Sequence, residues 1–196
     1  MWNTKTPGIP DEFFDRDEGV PITKEEVRAV QISKARLKPG MIVYDIGCGS
    51  GSISVEAALQ IEDYGHVHAV DNDVKAIELT KKNLAKFEVK NVSVINNDAT
   101  KAISDLPKAD AIFIGGTGKD TKEIVKLCQD KLKQEGRIVI GMILIETIFS
   151  VLSLIQELSF NSVDITQVTI SKSRKTSTGT MMLARNPVTV LAATKN

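Results

Sequence analysis

The sequence predicts an α/β fold, a mostly parallel sheet with helices on both faces. Three observations lead there. From Met41 onward, short apolar runs alternate with helical patterns, and that repetition is what parallel strands joined by right-handed crossovers require. Three of the runs, Met41–Gly47, His66–Asp71 and Arg137–Ile143, are almost continuously apolar, as strands covered on both faces should be. The first of them enters a turn with three glycines, Gly47-Cys48-Gly49-Ser50-Gly51, and a helical pattern begins at Ser52.

The elements follow in order. Residues Met1 to about Gly19 carry prolines, glycines and charges without periodicity and read as an irregular arm. Thr23-Lys24-Glu25-Glu26 has the spacing of a capping box, with Thr23 as N-cap and Glu26 three residues on. The helix behind it places Val27, Val30, Ile32 and Ala35 on one broad face, and Pro39-Gly40 ends the segment. Strand one, Met41–Gly47, leads to helix Ser52–Ile61. Strand two, His66–Asp71, leads to helix Val74–Phe87, for which Asp73 is the natural N-cap. Strand three, Val92–Asn96, precedes a short helix around Thr100–Ser104. Strand four, Ala111–Ile114, precedes helix Asp120–Leu132. Strand five, Arg137–Ile143, precedes helix Glu146–Leu158. The tail breaks the alternation. Val163–Ser171 alternates polar and apolar residues, Lys172–Thr180 is polar, and Met181–Ala184 and Val188–Ala193 are extended and apolar. With no helix between them, these strands should close the sheet as an antiparallel hairpin.

At 196 residues the chain suits a single domain with a substantial core. The zero formal net charge supplies no global field toward nucleic acid. Two cysteines, Cys48 and Cys128, form no disulfide framework, which suits a reducing cytoplasm. No apolar run approaches the roughly 18 residues of a membrane span. His66 and His68 share one face of a strand, but with no third ligand in view a metal site is not expected.

The glycine turn carries the chemistry. Glycines there permit chain reversal, close approach of backbone to a ligand, and tight helix–strand packing. The third glycine comes one residue too early for a dinucleotide fingerprint. Asp45-Ile46-Gly47-Cys48-Gly49-Ser50-Gly51 instead resembles motif I of the class I S-adenosylmethionine (SAM)-dependent methyltransferases. That resemblance implies a Rossmann-like, seven-stranded sheet of order 3-2-1-4-5-7-6. It makes Gly47, Cys48, Gly49, Ser50 and Gly51 cofactor-binding positions. Asp71 ends strand two about twenty residues on, where a carboxylate can accept both ribose hydroxyls. By the same resemblance Asp98 accepts from the adenine amino group and the Ala99 N–H donates to the ring; Asp98 as a plain helix cap stands as an equal alternative. Cys48 has no adjacent base and is a small filler, not a nucleophile.

The turn after strand four, Ile114-Gly115-Gly116-Thr117-Gly118-Lys119, lacks the Asn-Pro-Pro-Tyr of adenine-amino methyltransferases. It also fails as a phosphate loop, because Phe113 stands at the first glycine position and Asp120 replaces Ser/Thr. Glycines here suit a broad, flat substrate. Together with Pro21-Ile22-Thr23-Lys24-Glu25-Glu26-Val27-Arg28, Ile143-Leu144-Ile145-Glu146-Thr147 and Gly179-Thr180-Met181-Met182-Leu183-Ala184-Arg185-Asn186-Pro187-Val188, this turn makes the chain resemble the cobalt-precorrin-6B (carbon-15) methyltransferases, decarboxylating, over nearly its whole length.

The resemblance implies SAM as cofactor, a polycarboxylate corrinoid as substrate, methylation at carbon 15 and loss of the carbon-12 acetate carboxyl in anaerobic cobalamin biosynthesis. It also implies a homotetramer, and a threonine at position 23 that contacts SAM as well as capping its helix. Gly115, Gly116 and Thr117 then fall at the substrate. Lys172, Arg174, Lys175 and Arg185, in a stretch with no acidic residue, suit its carboxylates. Glu146, at a helix start where the dipole alone favours a negative charge, is the candidate to orient the ring or handle a proton. No catalytic triad is present, so positioning of donor and acceptor should carry the reaction. Two other readings are a tRNA adenine-N1-type RNA methyltransferase and a SAM-binding protein without catalysis.

Overall fold

The computed structural model describes residue 2 and residues 4–196. Its chain order is α1 (Glu25–Ala35), β1 (Ile42–Ile46), α2 (Ser52–Ile61), β2 (His66–Asp71), α3 (Val74–Lys86), β3 (Val92–Asn96), α4 (Ala99–Asp105), β4 (Ala109–Ile114), α5 (Thr121–Lys131), β5 (Leu132–Met142), α6 (Ile145–Glu157), β6 (Asn161–Val168), β7 (Ser171–Lys175), β8 (Thr180–Ala184) and β9 (Val188–Thr194). Seven strands form one sheet in the order β3-β2-β1-β4-β5-β9-β6. All neighbours are parallel except those of β9, which runs antiparallel to both β5 and β6. Counting only strands of this sheet, the order is the expected 3-2-1-4-5-7-6.

Alternation along each strand divides the core. Val43, Val67, Ala111, Val139 and Val190 face α1 and α2, with α3 alongside. Tyr44, Ile46, Ile112, Ile138, Ile140 and Leu191 face α4, α5 and α6. A side-chain period of two on strands buried from both sides accounts for the continuous apolar runs in the sequence.

The tail departs from expectation in one respect. Met181–Ala184 does not join the main sheet. As β8 it pairs with β7, from Ser171↔Ala184 to Lys175↔Thr180, in a separate two-stranded ribbon inserted between β6 and β9. Arg185 and Pro187 then redirect the chain, and only Val188–Thr194 enters the core.

The N-terminal arm is more ordered than its composition suggests. Ile9 and Phe14 are buried. The Phe14 ring lies 4.8 Å from that of Phe87 on the C-terminal side of α3. The Asp15 N–H donates to the Asn83 side chain at 2.8 Å. The arm is thus an extra layer across the α1–α3 face, held by contacts made far apart in sequence.

Candidate active site

Ligands of open α/β sheets bind where strand order reverses, beyond the carboxyl ends of the strands. Here the reversal falls between β1 and β4, which lie side by side. The turns that leave them touch. The Gly115 N–H donates to the Ile46 carbonyl at 3.0 Å. A Cβ on Gly47 (φ +76°) would collide with the Gly115 carbonyl. Gly49 and Gly51 are constrained likewise: a Cβ would lie 2.7 Å from the Pro21 carbonyl oxygen in one case and 2.8 Å from the Thr80 side chain in the other. At all three positions the space a side chain would need is taken by protein. The glycines therefore serve to nest the turns against each other, and the approach of a ligand is shaped by the same close packing.

Around these turns opens a cleft of about 550 Å³. Gly47, Cys48, Gly49, Gly115 and Gly116 form its base, with Asp45 and Gln31 also on its wall. A smaller pocket of about 70 Å³ adjoins it, sharing Gly47 and Gly116, and contains Asp71, Asp98, Ala99 and Thr117. The structure therefore brings the glycine turn, both strand-end acids and the Gly115–Thr117 turn into one continuous region. Asp71 holds the glycine turn directly: its Oδ2 accepts from the Gly49 N–H at 2.9 Å and its Oδ1 from the Asp73 N–H at 3.0 Å. A carboxylate has about four acceptor sites, so capacity remains for hydroxyl donors. Asp98 does cap α4, accepting from the Thr100 N–H at 2.9 Å, while still facing the small pocket. Its bonds to Thr100 hold the carboxyl below its ordinary pKa.

Asp45 differs from both. It is fully enclosed, and burial, with the nearby Asp71 charge adding to it, pushes its carboxyl up to about 6 even though Ser54 Oγ donates to it at 2.5 Å. Burial likewise pushes the Cys48 thiol far up, consistent with a filler and not a nucleophile.

The segment between the arm and α1 adds Pro21, Ile22, Thr23 and Lys24 to the cleft wall. Thr23 faces the cleft but is not an N-cap. That position belongs to Lys24, which makes no side-chain cap bond. The cap comes instead from Asp11, whose Oδ1 accepts from the Glu25 N–H at 3.0 Å while Glu25 Oε2 accepts from the Asp11 N–H at 2.9 Å. It is a capping box assembled from residues 14 apart in sequence, so local spacing pointed to the wrong partner. Beneath it, the Arg28 guanidinium is fully buried, bonded to Glu56 at 2.6 Å and to the carbonyls of Ile9 and Thr23. It also lies 4.7 Å over the Phe14 ring.

A model of the precorrin methyltransferase domain matches residues 12–195. The chain belongs to the precorrin methyltransferase family. It is 45% identical over 196 residues, 99% of this chain and 98% of the relative, to a probable cobalt-precorrin-6B C(15)-methyltransferase (decarboxylating) of Saccharolobus solfataricus. Among solved structures it resembles a precorrin 8w decarboxylase of Methanobacterium thermoautotrophicum (TM-score 0.89, 34% identity, 94% of this chain and 98% of that one). It also resembles a precorrin-6y C5,15-methyltransferase of Geobacter metallireducens (TM-score 0.90, 32% identity, 97% and 99%). The family inferred from the glycine turns and the Gly-Thr-Met-Met and Arg-Asn-Pro-Val segments is thereby the observed one.

Not every residue singled out in this precorrin methyltransferase meets the cleft. Ser50 and Gly51 turn inward: Ser50 is buried with its N–H on the Pro21 carbonyl, and Gly51 packs on Thr80. Of the four basic residues, Arg185 alone lines the cleft, where it also bonds Glu26 at 3.1 Å. Lys172 is tied to Glu25 and Glu26, which hold its ammonium above the ordinary value. Arg174 and Lys175 stand exposed on the β7–β8 ribbon. Glu146 sits exposed in the first turn of α6, outside the cleft lining. Among the described residues no group of three or more His, Cys, Asp or Glu could hold a metal, and His66 instead faces Ser93 at 2.8 Å.

The cleft also contains residues that sequence reasoning passed over: Lys24, Gln31, Asp45, Gly141 and Asn186. A signal existed for two of them. Asp45 opens the glycine motif, and Gln31 falls at i+4 from Val27 and i−4 from Ala35, squarely on the buried stripe of α1.

Proposed function

We propose that this chain transfers the SAM methyl group to carbon 15 of cobalt-precorrin-6B and releases the carboxyl of the carbon-12 acetate as carbon dioxide, giving cobalt-precorrin-7. The observation that carries the reading is the single cleft at the β1/β4 switch point, bounded by two glycine turns with a ribose-type acid beside it and an arginine at its rim. The residues suit SAM. Asp71 retains acceptor capacity at the pocket floor, and Asp45 and Asp71 together give the turn a negative potential that favours a cationic ligand. When bound, SAM supplies an electrophilic methyl on a sulfonium.

The chain's own residues do the rest by positioning. The touching turns at Gly47 and Gly115 set how near donor and acceptor come, which is where near-attack geometry gains its rate. Arg185, half-buried at the rim, offers a planar guanidinium to a carboxylate. In this reading Arg174 and Lys175 meet more distant carboxylates, and Glu146 orients the macrocycle's outer edge. Thr23 lies on the wall above the glycine turn. The methyl bond forms as the sulfur–carbon bond breaks. The electron pair left by carbon dioxide departure enters the conjugated macrocycle, so no protein electron sink is needed.

The reading also places the enzyme in the cytoplasm as a homotetramer. Both cysteines are free and buried, and no helix among the described residues is long and apolar enough to cross a membrane. Met181, Met182 and Leu183 are 48%, 63% and 46% exposed on the β7–β8 ribbon, an apolar surface of the kind subunits cover. Sedimentation reads the assembly directly. The RNA-methyltransferase alternative is not favoured: the formal net charge is zero, and the relatives at 45% identity are named as cobalt-precorrin methyltransferases. Incubation with methyl-labelled SAM and cobalt-precorrin-6B tests the function. Label in the tetrapyrrole with stoichiometric carbon dioxide release is expected; neither product would refute it.

A further inference from the structure

Gln31 lies on the middle of α1 and is 4% exposed. Its Oε1 is buried and has no hydrogen-bond partner. The residue nonetheless lines the cleft. A buried acceptor left unpaired destabilises a fold, and most buried polar groups in native proteins have a partner. The surroundings preserve the arrangement. Gly141 on β5 lies directly below, and a Cβ there would run into the Gln31 amide nitrogen. Val27, one helical turn before it on α1, and Val188 line the same cleft. The side chain is therefore a carboxamide without a partner for its oxygen, with space reserved for it over β5.

Its position says which ligand it serves. The amide stands over β5, and β4 separates β5 from the glycine turn that ends β1. Two strand spacings put about 10 Å between them. The pocket with Asp71 and Asp98 lies on the far side of Gly47 from Gln31. Gln31 thus faces the half of the cleft bounded by β5 and Arg185, where the methyl acceptor must sit if the donor occupies the glycine turn.

We infer that Gln31 is a substrate-binding residue whose carboxamide hydrogen-bonds a polar group of the tetrapyrrole, fixing the macrocycle beside the donor methyl. This rests on the methyl-transfer reading above. A carboxamide suits the task better than a carboxylate, because a charge there would repel a polyanionic ligand and resist burial.

The test uses Gln31→Leu and Gln31→Met, which keep the volume and remove the hydrogen bond. Thermal unfolding, calorimetric affinity for S-adenosylhomocysteine, and affinity for cobalt-precorrin-6B in the presence of S-adenosylhomocysteine are measured for each. The expected result is an unfolding temperature equal to or above that of the wild type and an S-adenosylhomocysteine affinity within twofold. Tetrapyrrole binding should weaken about tenfold, the loss of one hydrogen bond. A merely structural glutamine would instead lower the unfolding temperature in both variants, and a cofactor contact would lower S-adenosylhomocysteine affinity; either result overturns the inference. Unchanged tetrapyrrole affinity in variants of an enzyme that turns over the tetrapyrrole overturns this inference alone. A wild type that neither binds nor methylates the tetrapyrrole overturns the functional reading, and the inference with it.

Discussion

Glu56→Ala should destabilise the protein by about 3–5 kcal/mol, the usual cost of removing one partner of a buried ion pair. The structure supports the upper part of that range. Glu56 is 2% and Arg28 0% exposed, and their Oε1–Nε separation is 2.6 Å. The same carboxylate accepts the Gly8 and Ile9 N–H groups, both at 2.9 Å. Truncation leaves a buried guanidinium short of its main counter-charge and two arm amides without acceptors. For a chain of this length each kcal/mol lowers the unfolding temperature by roughly 2–4 °C, so a fall of about 10 °C is expected in scanning calorimetry. S-adenosylhomocysteine affinity should fall as well, since Arg28 also holds the Thr23 carbonyl on the cleft wall. The double variant Arg28→Met with Glu56→Leu removes the stranded charge but leaves the Gly8 and Ile9 N–H groups and the Ile9 and Thr23 carbonyls unpaired, so it should recover part of the loss. A fall of less than about 3 °C in Glu56→Ala, or a double variant as unstable as the single, would refute the assignment of this pair as the anchor of the arm.

Asp71→Ala should weaken S-adenosylhomocysteine binding by roughly 10- to 100-fold, the range for bonds to a charged acceptor; unchanged affinity by calorimetry would count against the cofactor site. Gly47→Ala forces a side chain into positive φ and against the Gly115 carbonyl, so both stability and S-adenosylhomocysteine binding should drop, and an unfolding temperature equal to the wild type would contradict the nested turns. Asp45 gives a pH signature. Its folded pKa, about 6, lies above the ordinary value of 3.8, so the folded state binds the proton more tightly than the unfolded chain. The stability this confers is complete below about pH 4 and is lost as pH rises through 6. Asp45→Asn, which stays neutral, should therefore gain on the wild type across that window, by up to about 3 kcal/mol above pH 7. Unfolding temperatures that differ by the same amount at pH 4.5 and 7.5 would show that the carboxyl is not perturbed.

Much of this was legible in the chain alone. The strand–helix alternation, the glycine turn and the terminal acids Asp71 and Asp98 are local patterns, and each has a physical reason to recur at its spacing. The resemblance carried by the glycine turns and the Gly-Thr-Met-Met and Arg-Asn-Pro-Val segments supplied the strand order and the family. What local pattern could not convey was any feature whose partners lie far apart. The cap of α1 comes from Asp11, which no short window joins to Glu25. The arm looked irregular because its order derives from Glu56, Phe87 and Asn83, each contributed by another element. Lys172 and Arg185 stand in a stretch without acids, yet their counter-charges, Glu25 and Glu26, come from about 150 residues away. Met181–Ala184 has the composition of a core strand, yet it leaves the sheet. Periodicity along one chain reports which faces are apolar. Only the folded arrangement decides what meets them, because charges and hydrogen bonds are satisfied across space.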